Sequence, residues 1–419
     1  MERYSEYKDS GVQWLGKIPE HWGCIQNRFI FKENVRSPQE NDIPLSLSQV
    51  DGLIPTDDMK ESSLKTSSYD HWKRVHIDDI VLNRFKAHLG VLFASKYIGM
   101  VSFHYGVFEK IRPIIPKYYE YMFHSDQFRL ILGFASKGMT IGLQNLGNAD
   151  FYNLKSLYPP IEEQQGIVSY LDDKCTKIDK MLEGKQKQIE LLAEMKQRII
   201  ADAVTRGLNP NVKMKATTIP WLPEIPEHWE MNRNKSLLKL TDEKVGNRKG
   251  ITLLSLTKQG VIVRDLSEGK GKFPKDFDTY LVVHPNNLVF CFFDVDETPR
   301  TVGLVRNNGM LTGAYTNFEV NEAVVLPEFI YNYYLQVDNI KGLRPYYTGL
   351  RKVVKTSTFM QLRMPIPPLS EQQAIVSHIT EHSSKIETLT QKLQQEIESI
   401  KEYKQRLISD VVTGQIKVC

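Results

Sequence analysis

The chain is written twice. Trp14-Leu15-Gly16-Lys17-Ile18-Pro19-Glu20-His21-Trp22 returns as Trp221-Leu222-Pro223-Glu224-Ile225-Pro226-Glu227-His228-Trp229, with seven of nine positions identical and an offset of 207 residues. Pro159-Pro160-Ile161-Glu162-Glu163-Gln164-Gln165 returns as Pro367-Pro368-Leu369-Ser370-Glu371-Gln372-Gln373, now offset by 208. That offset persists at Lys196-Gln197-Arg198 against Lys404-Gln405-Arg406 and at Val204-Thr205 against Val412-Thr413. One register kept over about 45 residues marks a duplicated structural unit and excludes a fold in which the two halves are unrelated.

Between these blocks the halves diverge, and a skeleton survives. Gly99-Met100, Ser102, Tyr105 and Phe108-Glu109 answer Gly309-Met310, Thr312, Tyr315 and Phe318-Glu319, while Phe151 and Leu154-Lys155 answer Phe359 and Leu362-Arg363. Most polar loop positions differ. Each half is one framework carrying its own loop chemistry, as expected of two copies that do the same job on different targets.

The Pro-Pro-led stretches read as long helices. Proline suits a first helical turn, Glu162 and Glu163 suit the positive end of a helix dipole, and Ser370-Glu371-Gln372-Gln373 has the form of a capping box. Downstream, Leu171, Cys175, Ile178, Leu182, Ile189, Leu192, Ile199 and Ala203 follow steps of four and three, broken at Lys185 and again by the seven-residue step from Leu192 to Ile199. The second copy gives Ile379, Ser383, Ile386, Thr390, Leu393, Ile397, Ile400 and Leu407. This is the seam of a coiled coil, and two helices of about 65–70 Å, neither able to bury it alone, are expected to pair antiparallel.

The intervening segments, 23–155 and 230–363, read as mixed α+β modules. Ile80-Val81-Leu82 and Leu288-Val289-Phe290 are strand candidates; Tyr118 to Phe128 and Phe329 to Leu335 are aromatic-rich helix candidates. Gly138, Gly142, Gly147, Gly246 and Gly250 punctuate turns.

With 419 residues the chain suits two or three domains. A net charge of +4 permits a polyanionic partner without requiring one. Cys24, Cys175, Cys291 and Cys419 form no CxxC pair, which argues against a zinc site or a disulfide framework. No signal-peptide core follows Met1, and no apolar run nears the roughly 18 residues that span a bilayer, so a soluble cytoplasmic protein is expected, with no membrane partner.

Taken together, the duplicated Trp-x-x-x-Ile-Pro-x-His-Trp lead-in, the globular segment and the Pro-Pro-led long helix resemble the specificity subunits of type I restriction-modification enzymes, over essentially the whole chain. The resemblance implies an α+β fold with two target recognition domains separated by two long antiparallel coiled-coil helices, related by a pseudo-twofold repeat. The first domain would span 1–158 with its lead-in at 11–22, the first helical spacer 159–207, the second domain 208–365 with its lead-in at 218–229, and the second spacer 366–419. It further implies that each domain reads half of a bipartite, asymmetric site in double-stranded DNA and that the helices gauge the unread gap. Two modification (methyltransferase) subunits and two restriction (translocase-nuclease) subunits would be partners, with AdoMet, ATP and Mg on those partners only.

The chain's own motifs point the same way. It has no Asn/Asp-Pro-Pro-Tyr/Phe motif, since Asn209-Pro210-Asn211 lacks the second proline and the aromatic, and Gly269-Lys270-Gly271-Lys272 lacks P-loop spacing. Asp294, Asp296 and Glu297 form a carboxylate cluster of a kind that can hold Mg²⁺, but they lack a lysine at nuclease-like spacing, which argues against a metal site. His21 and His228 share a repeated setting that favours packing or capping. No catalytic, cofactor or metal residue is expected. The DNA-contact candidates are Arg84, Lys86 and His88 with Lys137, Thr140 and Gln144 in the first half. In the second they are Arg300 and Arg306, then Tyr346, Tyr347, Arg351, Lys352 and Lys355. Arginine and glutamine can read base edges bidentately, while lysine grips phosphate. Ser46-Leu47-Ser48-Gln49 and Ser255-Leu256-Thr257-Lys258 are secondary candidates, and the Lys185, Lys187, Glu190 and Glu194 face is a candidate partner surface. Three other readings stay open: an autonomous nuclease or methyltransferase, a scaffold that binds no nucleic acid, and a related complex in which one partner chain carries both activities.

Overall fold

The computed structural model describes residues 2–49, 51–59, 69, 71–138, 144–264 and 277–419. Its chain forms two compact units: Met1–Gln186 with Gln394–Cys419, and Lys187–Leu393. The two long helices, Ile161–Arg206 and Leu369–Val412, therefore each contribute to both. No helix among the described residues is long and apolar enough to cross a membrane.

In the first unit, strands Phe31–Glu33, Tyr105–Lys110, Ile80–Asn83 and Leu92–Ala94 form an antiparallel sheet in that order. A second sheet orders Gly52–Pro55, Ile43–Ser48, Gly99–Val101 and Lys73–Val75, with its inner pair parallel. Gly99 is required there, because an added Cβ would lie 2.5 Å from the Ile43 carbonyl oxygen. The core holds Trp22, Phe31, Phe108, Tyr119, Phe123 and Phe151, each buried large side chain contributing roughly 1.5–3 kcal/mol. Ile167, Leu171 and Cys175 join it from the start of the first long helix, and Leu407, Val411 and Val412 from the end of the second.

The second unit repeats the first of these sheets, and in place of the second it has two antiparallel pairs, Leu254–Thr257 with Gly260–Val263 and Leu281–Val283 with Gly309–Leu311. Leu238–Thr241, Thr316–Val320, Leu288–Phe290 and Val302–Leu304 take the same sheet order. Gly309, the counterpart of Gly99, meets the Thr252 carbonyl oxygen at 2.6 Å from its would-be Cβ. Trp229, Phe290, Phe318, Phe329, Tyr334 and Phe359 fill the core with Ile200, Ala203 and Val204 from the end of the first helix and Ile375 and Ile379 from the start of the second. Within each unit, then, one helix's beginning lies beside the other's end, the expected antiparallel pairing.

The expected seam positions are buried or half-buried along both helices, with exposed positions between them. The gap at Lys185 is filled: its side chain is 22% exposed and its Nζ lies 2.5 Å from Glu396. In the first unit Lys404 crosses to Asp179 at 2.6 Å, and in the second Lys196 crosses to Glu387 at 2.7 Å. These two ion pairs are the same contact displaced by 208 residues in both partners.

Two sequence readings are corrected. Tyr118 to Phe128 is not one helix. Ser125 takes an extended conformation (φ −68°, ψ 147°), its hydroxyl donating to the Met122 carbonyl, and separates Pro116–His124 from Asp126–Ala135. Nor is Ser370 a cap. The helix already begins at Leu369, and Gln372 makes the terminal bonds, donating to Pro367 O at 2.8 Å and accepting from Leu326 N at 2.8 Å. Gln164 does the same in the first unit with Pro159 O and Ile115 N.

Candidate nucleic-acid interface

The duplicated motifs meet in space. Trp22 Nε1 donates to Glu163 at 3.0 Å and Trp229 Nε1 donates to Glu371 at 3.1 Å. His21 Nε2 lies 2.5 Å from the other Glu163 oxygen, and His228 Nε2 lies 2.7 Å from that of Glu371. In each unit the lead-in tryptophan and histidine therefore grip the glutamate at a long helix's first turn, which is a packing role for both histidines. Burial alone would raise the Glu163 carboxyl. Hydrogen bonds from Tyr4, Trp22 and His21 outweigh it and hold the group below the usual carboxylate range.

Buried asparagines tie the other end of each frame. Asn27 Nδ2 donates to Phe151 O and Asn234 Nδ2 to Phe359 O, at 3.0 and 2.8 Å. Sequence reasoning missed both, although their 207-residue offset was a usable signal.

On this frame each unit carries two adjoining loops. In the first, residues 84–91 leave the strand Ile80–Asn83 as a 3-10 turn, Arg84–Leu89, capped by Asn83 Oδ1, which accepts from Phe85 N and Lys86 N. The second loop is bracketed by the bridge between Lys137 and Asn145, and Leu146 N donates to Arg84 O at 3.0 Å. In the second unit, residues 291–301 adjoin the hairpin of Tyr347–Thr348 and Val353–Val354, and Val354 N donates to Phe292 O at 2.8 Å. Both ends of the bond are displaced by 208. The same two loops are bound to each other at the same place in each copy.

The sequence candidates divide into outward groups and struts. Arg84 Nη2 donates to Glu33 at 2.6 Å and Asn148 at 2.7 Å, anchoring its loop to the strand Phe31–Glu33 and to the start of the helix Asn148–Asn153. Arg300 likewise turns inward to Asp338 and Asn339, both at 3.1 Å. The Lys86 side chain is exposed, with no hydrogen-bond or ion-pair partner among the described residues, while its backbone N–H donates to Asn83 Oδ1. His88 and Gln144 share the wall of a depression of about 560 Å³ with Arg129, Leu130 and the 87%-exposed Phe134. Lys137 is exposed and 2.8 Å from Asp150. Thr140 lies outside the described residues, as do Gly142 and Gly269-Lys270-Gly271-Lys272.

In the second unit Arg351 projects from the hairpin turn, its guanidinium 5.5 Å above the Phe293 ring and 3.6 Å from Asp294. Lys352 sits 3.0 Å from Glu297, which raises its pKa. The Lys355 side chain is exposed with no hydrogen-bond or ion-pair partner among the described residues, and Leu350 at the hairpin tip is fully exposed. Tyr346 and Tyr347 are half-buried, Tyr346 edge-on to Trp221. Arg306 is not gathered with the loops; it pairs with Glu328 at 2.6 Å on the helix Pro327–Asn339. Asp294, Asp296 and Glu297 are met by Arg351, Arg344 and Lys352. Ser46 and Ser48 belong to the second sheet, where Ser46 bonds Thr56 and Ser48 bonds Asp51. Ser255 and Thr257 lie on the strand Leu254–Thr257.

Residues 301–399 match the model of the type I restriction modification DNA specificity domain. A putative type I restriction enzyme MjaX specificity subunit of Methanocaldococcus jannaschii is 24% identical, the alignment covering 96% of each chain. The MjaVIII specificity subunit of the same organism is 23% identical over 82% of this chain and 80% of its own. Among solved structures, a chain from work on complex assembly and conformational transition of the type I R-M system matches with a TM-score of 0.70 at 12% identity, covering 95% of this chain and 99% of its own. The HsdS subunit from Thermoanaerobacter tengcongensis matches at 0.53 and 13% identity, over 95% and 98%.

Proposed function

We propose that this chain, which has the sequence signature and the fold of a type I restriction-modification specificity subunit, reads a bipartite, asymmetric site in double-stranded DNA with one unit per half-site. The observation that carries the reading is the pair of adjoining loops, held by backbone bonds at the same offset in both copies yet furnished with different side chains. A fixed frame with variable projecting groups is what direct readout demands. Lys86, Lys137, Lys352 and Lys355 would meet phosphates, and Arg351 and Gln144 would reach base edges. Arg84 and Arg300 would position the loops from behind.

In this reading the chain has no catalytic centre. Two modification and two restriction subunits supply methylation and ATP-driven cleavage, with AdoMet, ATP and Mg bound there. The test is reconstitution. The purified chain alone should neither methylate nor cleave DNA, and with a modification subunit it should direct methylation to one split sequence. Activity of the lone chain with AdoMet or Mg²⁺ would overturn the reading. So would an assembled complex that fails to protect DNA and forms equally well at all salt concentrations, since phosphate-driven binding weakens steeply with salt.

A further inference from the structure

The second long helix carries a feature that DNA reading does not use, His378-Ile379-Thr380-Glu381-His382. Residues four apart share a helix face. The two imidazole rings are half-buried, with centroids 4.1 Å apart and planes inclined by 37°. His382 Nδ1 lies 2.9 Å from the His378 carbonyl oxygen. A carbonyl oxygen only accepts, so Nδ1 holds the proton and the neutral ring's lone pair sits on Nε2. Metal-ligating histidines are oriented in this way, by donating the other ring nitrogen to a backbone carbonyl. The His378 ring nitrogens have no hydrogen-bond partner among the described residues.

We propose that His378 and His382 form a two-histidine chelate for a divalent first-row transition ion, with water completing its coordination. Imidazole selects Cu²⁺, Ni²⁺ and Zn²⁺ over Mg²⁺ and Ca²⁺, and Cu²⁺ should bind most tightly. Two metal–nitrogen bonds of about 2.0–2.1 Å bring the ligating nitrogens to about 3 Å of each other, which rings at this separation can reach. The His-x-x-Glu-His order also occurs in a class of metallopeptidases, but a catalytic zinc takes three protein ligands. No group of three or more His, Cys, Asp or Glu is placed to hold a metal among the described residues, and Glu381 is 2.6 Å from Lys385. The site is a binding site and not a hydrolytic centre. At the matching positions of the first long helix stand Tyr170 and Lys174, the lysine ammonium 5.6 Å from the tyrosine ring centroid. The chelate belongs to the second copy alone.

The test titrates the full-length chain with Cu²⁺, Ni²⁺ and Zn²⁺ by calorimetry, with electron paramagnetic resonance of the Cu²⁺ form. One ion per chain with two nitrogen donors is expected, released as the imidazoles protonate at acidic pH. Losing an outer-shell partner alone costs about 10–100-fold in affinity, so His378→Ala and His382→Ala should each cost at least about tenfold. The metal should raise the melting temperature of the parent chain and not of His382→Gln, which keeps the helix polar at that position. Tyr170→His combined with Lys174→His should add a second equivalent. Undiminished affinity in both single variants, or a Cu²⁺ spectrum lacking nitrogen donors, overturns the assignment.

Discussion

At the scale of single residues, Glu163 and Glu371 tie each duplicated lead-in to the start of a long helix. Each receives an indole N–H that is otherwise buried, so Glu163→Ala leaves Trp22 without its acceptor and should cost about 1–3 kcal/mol in denaturant unfolding, whereas Glu163→Gln, which keeps an oxygen, should cost less. The charge has its own signature. A carboxylate held below its ordinary pKa contributes stability that is present above that ordinary value and is lost as pH falls through the depressed one. The unfolding midpoint of the parent chain should therefore drop over that acidic window, and Glu163→Gln should show a shallower drop. The glutamates, tryptophans and histidines were legible in the sequence because they repeat. That they touch was not legible, because the partners stand 141 residues apart in the first unit and 142 in the second. Asn27 and Asn234 carry the same 207-residue offset, but a single small polar residue shared between the copies is a weak signal beside the repeated blocks.

At the scale of elements, the helices were the most legible part. Their four-three spacing is a local property, and the structure keeps it, placing lysines where the apolar series fails. Such pairs are worth little. A double-mutant cycle on Asp179 and Lys404 should give a coupling of about 0.2–1 kcal/mol that fades with salt. Lys185 faces Glu396 at a position whose counterpart is Leu393. Lys185→Leu should raise the melting temperature by about 2–4 °C, the shift that about 1 kcal/mol produces in units of this size. The break at Ser125 was hidden by the aromatic run on either side of it, which satisfies a helical pattern although the chain turns at Ser125-Asp126. The loop candidates were legible only as types of residue. Whether an arginine projects or turns inward depends on an acid far along the chain, as Glu33 does for Arg84 and Asp338 for Arg300. Arg351→Ala in an assembled complex should relax recognition at one half-site by about 1–3 kcal/mol, measured by competition between sites differing at single base pairs.

At the scale of the whole molecule, the repeat disclosed two copies of one plan, and replacing residues 23–155 by those of a relative should change the methylated bases of one half-site only. A change in both would refute one unit per half-site. What the repeat did not disclose is how the chain is shared out. The first unit is made from residues 1–186 and 394–419, and its core is completed by Leu407, Val411 and Val412. Tyr7 Oη donates to Gly414 O, and Glu2 bridges to Lys417. The second unit is a single uninterrupted stretch. On the ribosome this sets an order of events. The segment made first must wait, incomplete, while the roughly 200 residues of the second unit are synthesised, a delay of about 10–40 s at ordinary elongation rates. The later-encoded unit can close first, and the earlier one is finished only once residues 394–419 have followed it out.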